Sequence, residues 1–183
     1  MRKTIRQFYL DEVKPRKNTI FLSDHALIAI LFSLLLSLIG DFLGFESLKK
    51  ESVVSALFNY SSIAMGFCVT CVTMCLTMGD KEFVKHLCSH KTLENKSDSF
   101  SDLIFVFSWT AVCHWLSIII LVIATLNTND NETLFSNSFN IAERISFLFS
   151  SAVIFYSLLQ FLITIITTMQ VGKVYSKFLK NHN

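Results

Sequence analysis

The chain has 183 residues, of which 52% are hydrophobic, and it contains eighteen Phe but only five Gly and one Pro. Together with a mean hydropathy of +0.51, this composition excludes an ordinary soluble domain and indicates a membrane protein. The net charge of +2 is small, so any role of charge depends on where the charged residues lie.

Residues 1–25 form a basic arm that precedes the first hydrophobic segment. Within the arm, "TIRQFYLDEVKP" sets apolar residues at helical spacing against charged ones, and the pattern stops at Pro15. We expect a short amphipathic helix on the inner membrane surface, with Arg16 and Lys17 beside the lipid headgroups. A loosely ordered arm is the alternative, since chain termini are often poorly ordered.

Four segments are long and apolar enough to cross a bilayer, which takes about 20 residues of helix. They are residues 26–45, 53–79, 103–126 and 145–171. These segments leave little chain for a separate soluble domain, so the sequence predicts an all-α integral membrane protein with four transmembrane helices. The connection "ESLKKES" is short enough to make the first two segments an antiparallel hairpin.

The basic residues are concentrated outside these segments. Thirteen of the sixteen Lys and Arg residues lie in the arm, in the loop 80–102 or in the tail 172–183. Because loops rich in Lys and Arg are retained on the cytoplasmic side, this bias predicts that both termini and the loop are cytoplasmic.

The loop 80–102 carries a basic cluster beneath the second span. Its first half would continue the second helix by two or three turns, and its second half predicts a helix start with Ser99 or Ser101 as the N-cap. The cluster consists of Lys81, Lys85, His86, His90 and Lys91. It would contact either lipid headgroups or a phosphate-bearing ligand.

Polar residues follow one face of the fourth span and one face of the second. They are Ser146, Ser150, Ser157, Gln160, Thr164 and Thr168 on the fourth, and Ser55, Asn59, Ser62, Gly66, Thr70, Thr73 and Thr77 on the second. Hydroxyls and amides cost free energy in lipid unless they are paired, so each face must contact protein or water. Close helix packing would satisfy small hydroxyl residues. The amides of Gln160 and Asn59, with up to four hydrogen-bonding sites each, favour a water-filled path.

Two further groups of residues stand out in the spans. The first span carries a line of small residues, Ala29, Ser33, Ser37, Gly40 and Gly44, which predicts a close helix contact. His114 lies near the middle of the third span, on the same face as Thr110 and Ser117. An ionisable residue at this depth is a candidate functional group, and a hydrogen bond from a neutral imidazole to a neighbouring helix is the structural alternative.

Motifs for catalysis or for cofactor binding are not evident. The sequence has no Gly-rich phosphate loop and no paired carboxylates within the spans. Cys68, Cys71 and Cys75 share one face of the second span, where lipid depth opposes thiolate formation and packing explains them. We therefore expect a protein that is not an enzyme and that holds no metal and no cofactor.

The combination of a basic arm, four spans, a modest basic loop and no catalytic centre covers the whole chain. In this outline the chain resembles the small four-helix membrane effectors of bacterial anti-phage defence systems. The resemblance implies a bacterial inner-membrane protein and suggests a tetramer by analogy. It also implies a nucleotide or oligonucleotide ligand that a partner nucleotidyltransferase makes.

These features together predict a homo-oligomeric channel or membrane-permeabilising effector in the lipid bilayer. The polar face of the fourth span, with Asn59, would line the path, and Phe149 and Phe161 would close it by dewetting. The basic cluster, Arg16 and Lys17 would form the ligand or gating surface. Two alternatives stay open: a non-conducting membrane anchor that recruits a cytoplasmic partner, and a small-molecule transporter.

Overall fold

A computed structural model of the chain describes residues 7, 9–16, 20, 23–39, 50–77, 81–89, 98–126 and 141–182. Within these residues the protein is all-helical. Several predicted features fall outside them: Lys17, the end of the first span at 40–45 with its Gly40 and Gly44, and the basic residues His90 and Lys91.

Five α-helices and one short π-helix make up the described part of the chain. The α-helices are α1 (Asp24–Ile39), α2 (Lys50–Leu76), α3 (Lys81–Ser89), α4 (Ser99–Leu126) and α5 (Ile141–His182), and the π-helix covers Tyr9–Val13. Helices α2, α4 and α5 are long and apolar enough to cross a membrane, and they contain most of the second, third and fourth predicted spans. Helix α1, which begins the first predicted span, is described over 16 residues.

The helix ends differ from the sequence-based expectations at three places. Helix α4 is capped by Asp98, whose Oδ1 accepts a hydrogen bond from the Ser101 N–H at 2.6 Å, rather than by Ser99 or Ser101. Helix α2 ends at Leu76, and the separate helix α3 begins at Lys81. Helix α5 has 42 residues, a length of about 63 Å, so residues 172–182 of the predicted tail are its last turns.

The long helices pack in the order α1, α5, α4, α2, with each helix against the next. Helix α3 packs against α4, and its buried Phe83 and Leu87 contact Phe178 near the end of α5. The N-terminal segment, which is described at residues 9–16 and 20, packs against α4 as well. Val13 and Ile20 of this segment form a buried cluster with Phe105. The sequence does not predict this contact with α4.

Candidate functional site

The middle of the fourth-span polar face lies between α4 and α5. Ser157 and Thr164 are fully buried and Gln160 is 8% exposed. The Ser117 hydroxyl donates to Ser157 Oγ at 3.0 Å, and the Thr110 and Thr164 hydroxyls are 2.8 Å apart. These residues therefore join two helices of one chain, as the packing alternative describes.

Gln160 is the residue of this face with the most hydrogen-bonding groups to satisfy. Its backbone carbonyl accepts a hydrogen bond from the Thr164 hydroxyl at 3.0 Å, and the Tyr156 hydroxyl belongs to the residue one turn earlier on α5. That hydroxyl accepts a hydrogen bond from Trp109 Nε1 at 3.1 Å and donates one to the Ile20 carbonyl at 3.1 Å. Gln160 thus lies one turn from an internal network in which α4, α5 and residue 20 of the N-terminal segment take part.

The ends of the same face have different surroundings from the middle. Ser146 and Thr168 are exposed and Ser150 is half-buried. Two helices that cross at an angle stay in contact over only part of their length. A face that is continuous along the sequence is therefore divided into a buried centre and two open ends.

The polar face of α2 points away from the rest of the chain. Ser55, Asn59, Gly66, Thr70, Thr73 and Thr77 are exposed, and Ser62 is half-buried. The buried residues of α2, Val54, Ser61, Ala64, Cys68 and Cys75, lie on the opposite face at 100° per residue. A Cβ added at Gly66 meets no atom within 4 Å, which agrees with an open surface.

Most hydroxyls on this outward face bond to their own helix. Those of Ser62, Thr70, Thr73 and Thr77 donate to the carbonyl four residues earlier at 2.9 to 3.0 Å. Asn59 differs from them because an amide has more hydrogen-bonding sites than one backbone carbonyl can satisfy. Asn59 is therefore the residue on this face that most requires water or another protein surface.

The outward face of α1 has a different character. Its exposed residues include Leu27, Ile28, Ile30, Leu31, Leu34, Leu35 and Leu38. Ala29 and Ser33, from the predicted close-contact line, are buried, and the Ser33 hydroxyl donates to the Leu148 carbonyl of α5 at 2.9 Å. Helix α1 thus presents hydrocarbon outward and small residues inward, which suits contact with lipid.

His114 is fully buried at the junction of α2, α4 and α5. The rings of Tyr60 and Phe161 contact it edge-on, with centroid distances of 5.7 and 5.8 Å. Among the described residues neither ring nitrogen has a hydrogen-bond partner, so the predicted hydrogen bond to a neighbouring helix is absent there. The neighbouring helices face the imidazole with the rings of Tyr60 and Phe161, and the α5 hydroxyls are bonded to Thr110 and Ser117.

The two aromatic residues predicted to close a path lie in different surroundings. Phe161 packs edge-on against the rings of Tyr60 and Phe67, at 5.9 and 5.6 Å, so it fills the junction between α2 and α5. Phe149 is 67% exposed. The two rings therefore do not share one surface of the chain.

The basic residues predicted as a ligand surface separate into an exposed and a buried group. Lys81 and Lys85 are exposed on α3. His86 is half-buried, and its ring lies 5.4 Å from that of Phe178. Arg16, which the sequence predicts beside the headgroups, is 7% exposed.

Arg16 is buried because α4 supplies two partners for its guanidinium. Its Nη2 donates to Asp102 Oδ1 at 2.8 Å, and its Cζ lies 4.5 Å from the centre of the Phe105 ring. Sequence reasoning missed Asp102 because the two residues of the pair are 86 positions apart. The available signal was an acidic residue in the first turn of the third span.

The fold and these surfaces define an all-helical protein with three helices that could cross a membrane. Comparison of the chain with protein-family models, with curated proteins and with solved structures finds no significant match. The function is therefore inferred from the geometry of the chain itself.

Proposed function

We propose that the chain forms a homo-oligomeric membrane channel or membrane-permeabilising protein. The observation that supports this proposal is the outward polar face of α2, which includes Asn59. The hydroxyls of this face bond to their own helix, but the Asn59 amide has more hydrogen-bonding sites than that helix can satisfy and is costly against hydrocarbon. Assembly of several copies around an axis would place this face on water.

In this proposal α2, rather than the middle of α5, lines most of the path. Asn59, Thr70 and Thr73 are spread over about 21 Å of the helix at 1.5 Å per residue, which is a large part of a ~30 Å hydrocarbon core. The buried α5 residues Ser157 and Thr164 would instead hold α4 and α5 together within each subunit.

The proposed topology has four spans with both termini in the cytoplasm. Residues up to 45 would complete the first span, and the leucine-rich outward face of α1 supports its contact with lipid. The distribution of Lys and Arg supports the orientation. In this orientation the exposed Lys173, Lys177 and Lys180 of α5 are cytoplasmic.

An anionic nucleotide or oligonucleotide at the cytoplasmic face is the proposed gating ligand, with a partner nucleotidyltransferase as its source in a bacterial cell. Lys81 and Lys85 are exposed on α3 and available to phosphate groups. Helix α3 contacts α4, and Phe83 ties it to Phe178 of α5. A ligand that moved α3 would therefore act on both helices.

A non-conducting membrane anchor is the second candidate. The observation that favours it is the pairing of Thr110 with Thr164 and of Ser117 with Ser157 inside one chain. This pairing accounts for the centre of the fourth-span face without any water-filled path.

Ion flux from liposomes that contain the purified protein tests the proposal. We expect Asn59→Leu to reduce single-channel conductance roughly two- to tenfold, because it replaces a path-lining amide with hydrocarbon. Ile63→Val is the matched control, since Ile63 is 73% exposed on the same helix beside the polar face. Wild-type vesicles that stay tight with and without oligonucleotides would favour the anchor.

A further inference from the structure

An ion pair between the buried Arg16 and the half-buried Asp102 attaches the N-terminal segment to α4. The Arg16 guanidinium bonds Asp102 at 2.8 Å and lies over the Phe105 ring at 4.5 Å. Asp102 stands in the first turn of α4, where the helix dipole also favours its negative charge. The positive charge of Arg16 is thus held by two favourable interactions, one with Asp102 and one with the Phe105 ring.

Apolar and hydrogen-bonding contacts extend this attachment to α5. Val13 and Ile20 are buried against Phe105, and Trp109 packs against the same cluster. The Ile20 carbonyl accepts a hydrogen bond from the Tyr156 hydroxyl of α5 at 3.1 Å. The segment therefore bridges α4 and α5, the two helices that pair through buried hydroxyls.

The attachment depends on two charges that lie in a partly buried place. Removal of one of them leaves the other desolvated without its counter-charge, which weakens the attachment. Three other residues of the segment, Tyr9, Leu10 and Lys14, are exposed. Its π-helix, Tyr9–Val13, is a rare geometry that occurs often at functional sites.

We propose that the N-terminal segment, described at residues 9–16 and 20, is a regulatory strap. While Arg16 is paired with Asp102, the strap holds α4 against α5 and keeps the channel closed. Loss of the pair frees the segment, loosens the α4–α5 contact and opens the channel. The inference rests on the proposed channel function, but attachment of the strap is measured separately from ion flux.

Two single substitutions with matched controls test the strap in full-length protein reconstituted in liposomes. Arg16→Met removes the cation that faces the half-buried Asp102, and Asp102→Asn removes the anion that faces the buried Arg16, so we expect amide exchange in residues 9–16 to rise at least about tenfold. Ion flux should increase in the same variants. Lys14→Met and Asp24→Asn make equivalent changes at exposed positions and should change neither quantity.

Two further variants keep the test decisive if a single substitution unfolds the protein. The charge swap Arg16→Asp with Asp102→Arg should restore protection of the segment and low flux. In the Arg16→Met background, a disulfide between Val13→Cys and Phe105→Cys, which belong to one buried cluster, should keep vesicles tight until a reductant is added. Tyr9→Cys with Phe105→Cys is the control, because Tyr9 is exposed.

The outcomes separate the strap from the channel. A segment that stays protected in Arg16→Met and Asp102→Asn would overturn the ion pair as its attachment. A released segment with unchanged or lower flux, in protein that conducts, would overturn the regulatory role and leave the channel standing. Tight vesicles for wild type and all variants would overturn the channel and the regulatory role with it.

Discussion

Threonine hydroxyls have two different environments in this protein. Thr164 is buried and its hydroxyl lies 2.8 Å from that of Thr110 on another helix. Thr73 is exposed, and its hydroxyl donates only to the Val69 carbonyl of its own helix. The sequence places both residues on polar faces of equal regularity, so the difference arises from what covers each face.

We expect Thr164→Val to destabilise the protein by about 0.6 kcal/mol, the average for hydrogen bonds between membrane helices. The substitution keeps the side-chain shape but removes the hydroxyl that contacts Thr110. Thr73→Val, the control, removes a hydroxyl that makes no contact with another helix and should change stability less. Thermal unfolding in detergent measures both, and equal effects would contradict the assignment of Thr164 to a helix contact.

We expect His114→Leu to raise the free energy of unfolding by about 1 kcal/mol or more. A neutral imidazole has a donor and an acceptor to satisfy, and burial without partners carries a penalty of this size. His25→Leu is a control at the half-buried start of α1. Destabilisation by His114→Leu in the same detergent assay would show that the imidazole makes a stabilising hydrogen bond.

At the scale of single elements, α3 is a helix whose packing depends on residues that are far away in the sequence. The sequence predicts that α2 continues into the loop, yet α2 ends at Leu76 and α3 begins at Lys81. Phe83 is buried against Phe178, and its ring also contacts Tyr175 edge-on at 4.7 Å. A straight continuation of α2 would not bring Phe83 to these partners, so packing with α5 explains the separate helix.

We expect Phe83→Ala to detach α3 from the end of α5, because it removes the largest buried side chain of a nine-residue helix. A Phe→Ala change in a core costs about 3–5 kcal/mol, more than a helix of this length can lose and stay docked. Amide exchange should rise in residues 81–89 and stay low in α4. Lys85→Ala, at an exposed position, is the control, and equal exchange in both variants would contradict this role for Phe83.

At the scale of the whole molecule, the two outer helices present opposite surfaces. Helix α1 exposes leucine and isoleucine, whereas α2 exposes the polar face that includes Asn59. The first surface suits a bilayer, whereas the Asn59 amide on the second is costly against hydrocarbon. One edge of the subunit therefore suits lipid, and the other suits water or a second protein surface.

We expect Asn59→Cys, but not Leu31→Cys, to react with a membrane-impermeant thiol reagent in liposomes. Asn59 would lie on the water-filled path of the proposed oligomer, while Leu31 is 59% exposed on the lipid-facing side of α1. The native cysteines contribute equally to both samples, and unmodified wild type supplies that background. Similar labelling of the two variants would contradict a water-facing α2.

The pattern of residues within each segment was sufficient to predict the all-helical architecture and the long apolar helices, because helical periodicity and apolar length are properties of neighbouring residues. It also predicted that Ala29 and Ser33 of α1 make a close contact. Which polar face is buried was decided only by the tertiary structure. Periodicity places Thr164 and Thr73 on polar faces, but only helix packing covers Thr164 and leaves Thr73 open.

Residues far apart in the chain supply the other features that only the tertiary structure decided. Arg16 meets Asp102 across 86 positions, and His114 is enclosed by rings from α2 and α5. No periodicity within one segment carries that information, since each contact depends on how two helices are placed against each other. The sequence alone thus determined which residues share a helix face, and the packing of α1, α5, α4 and α2 determined what each face contacts.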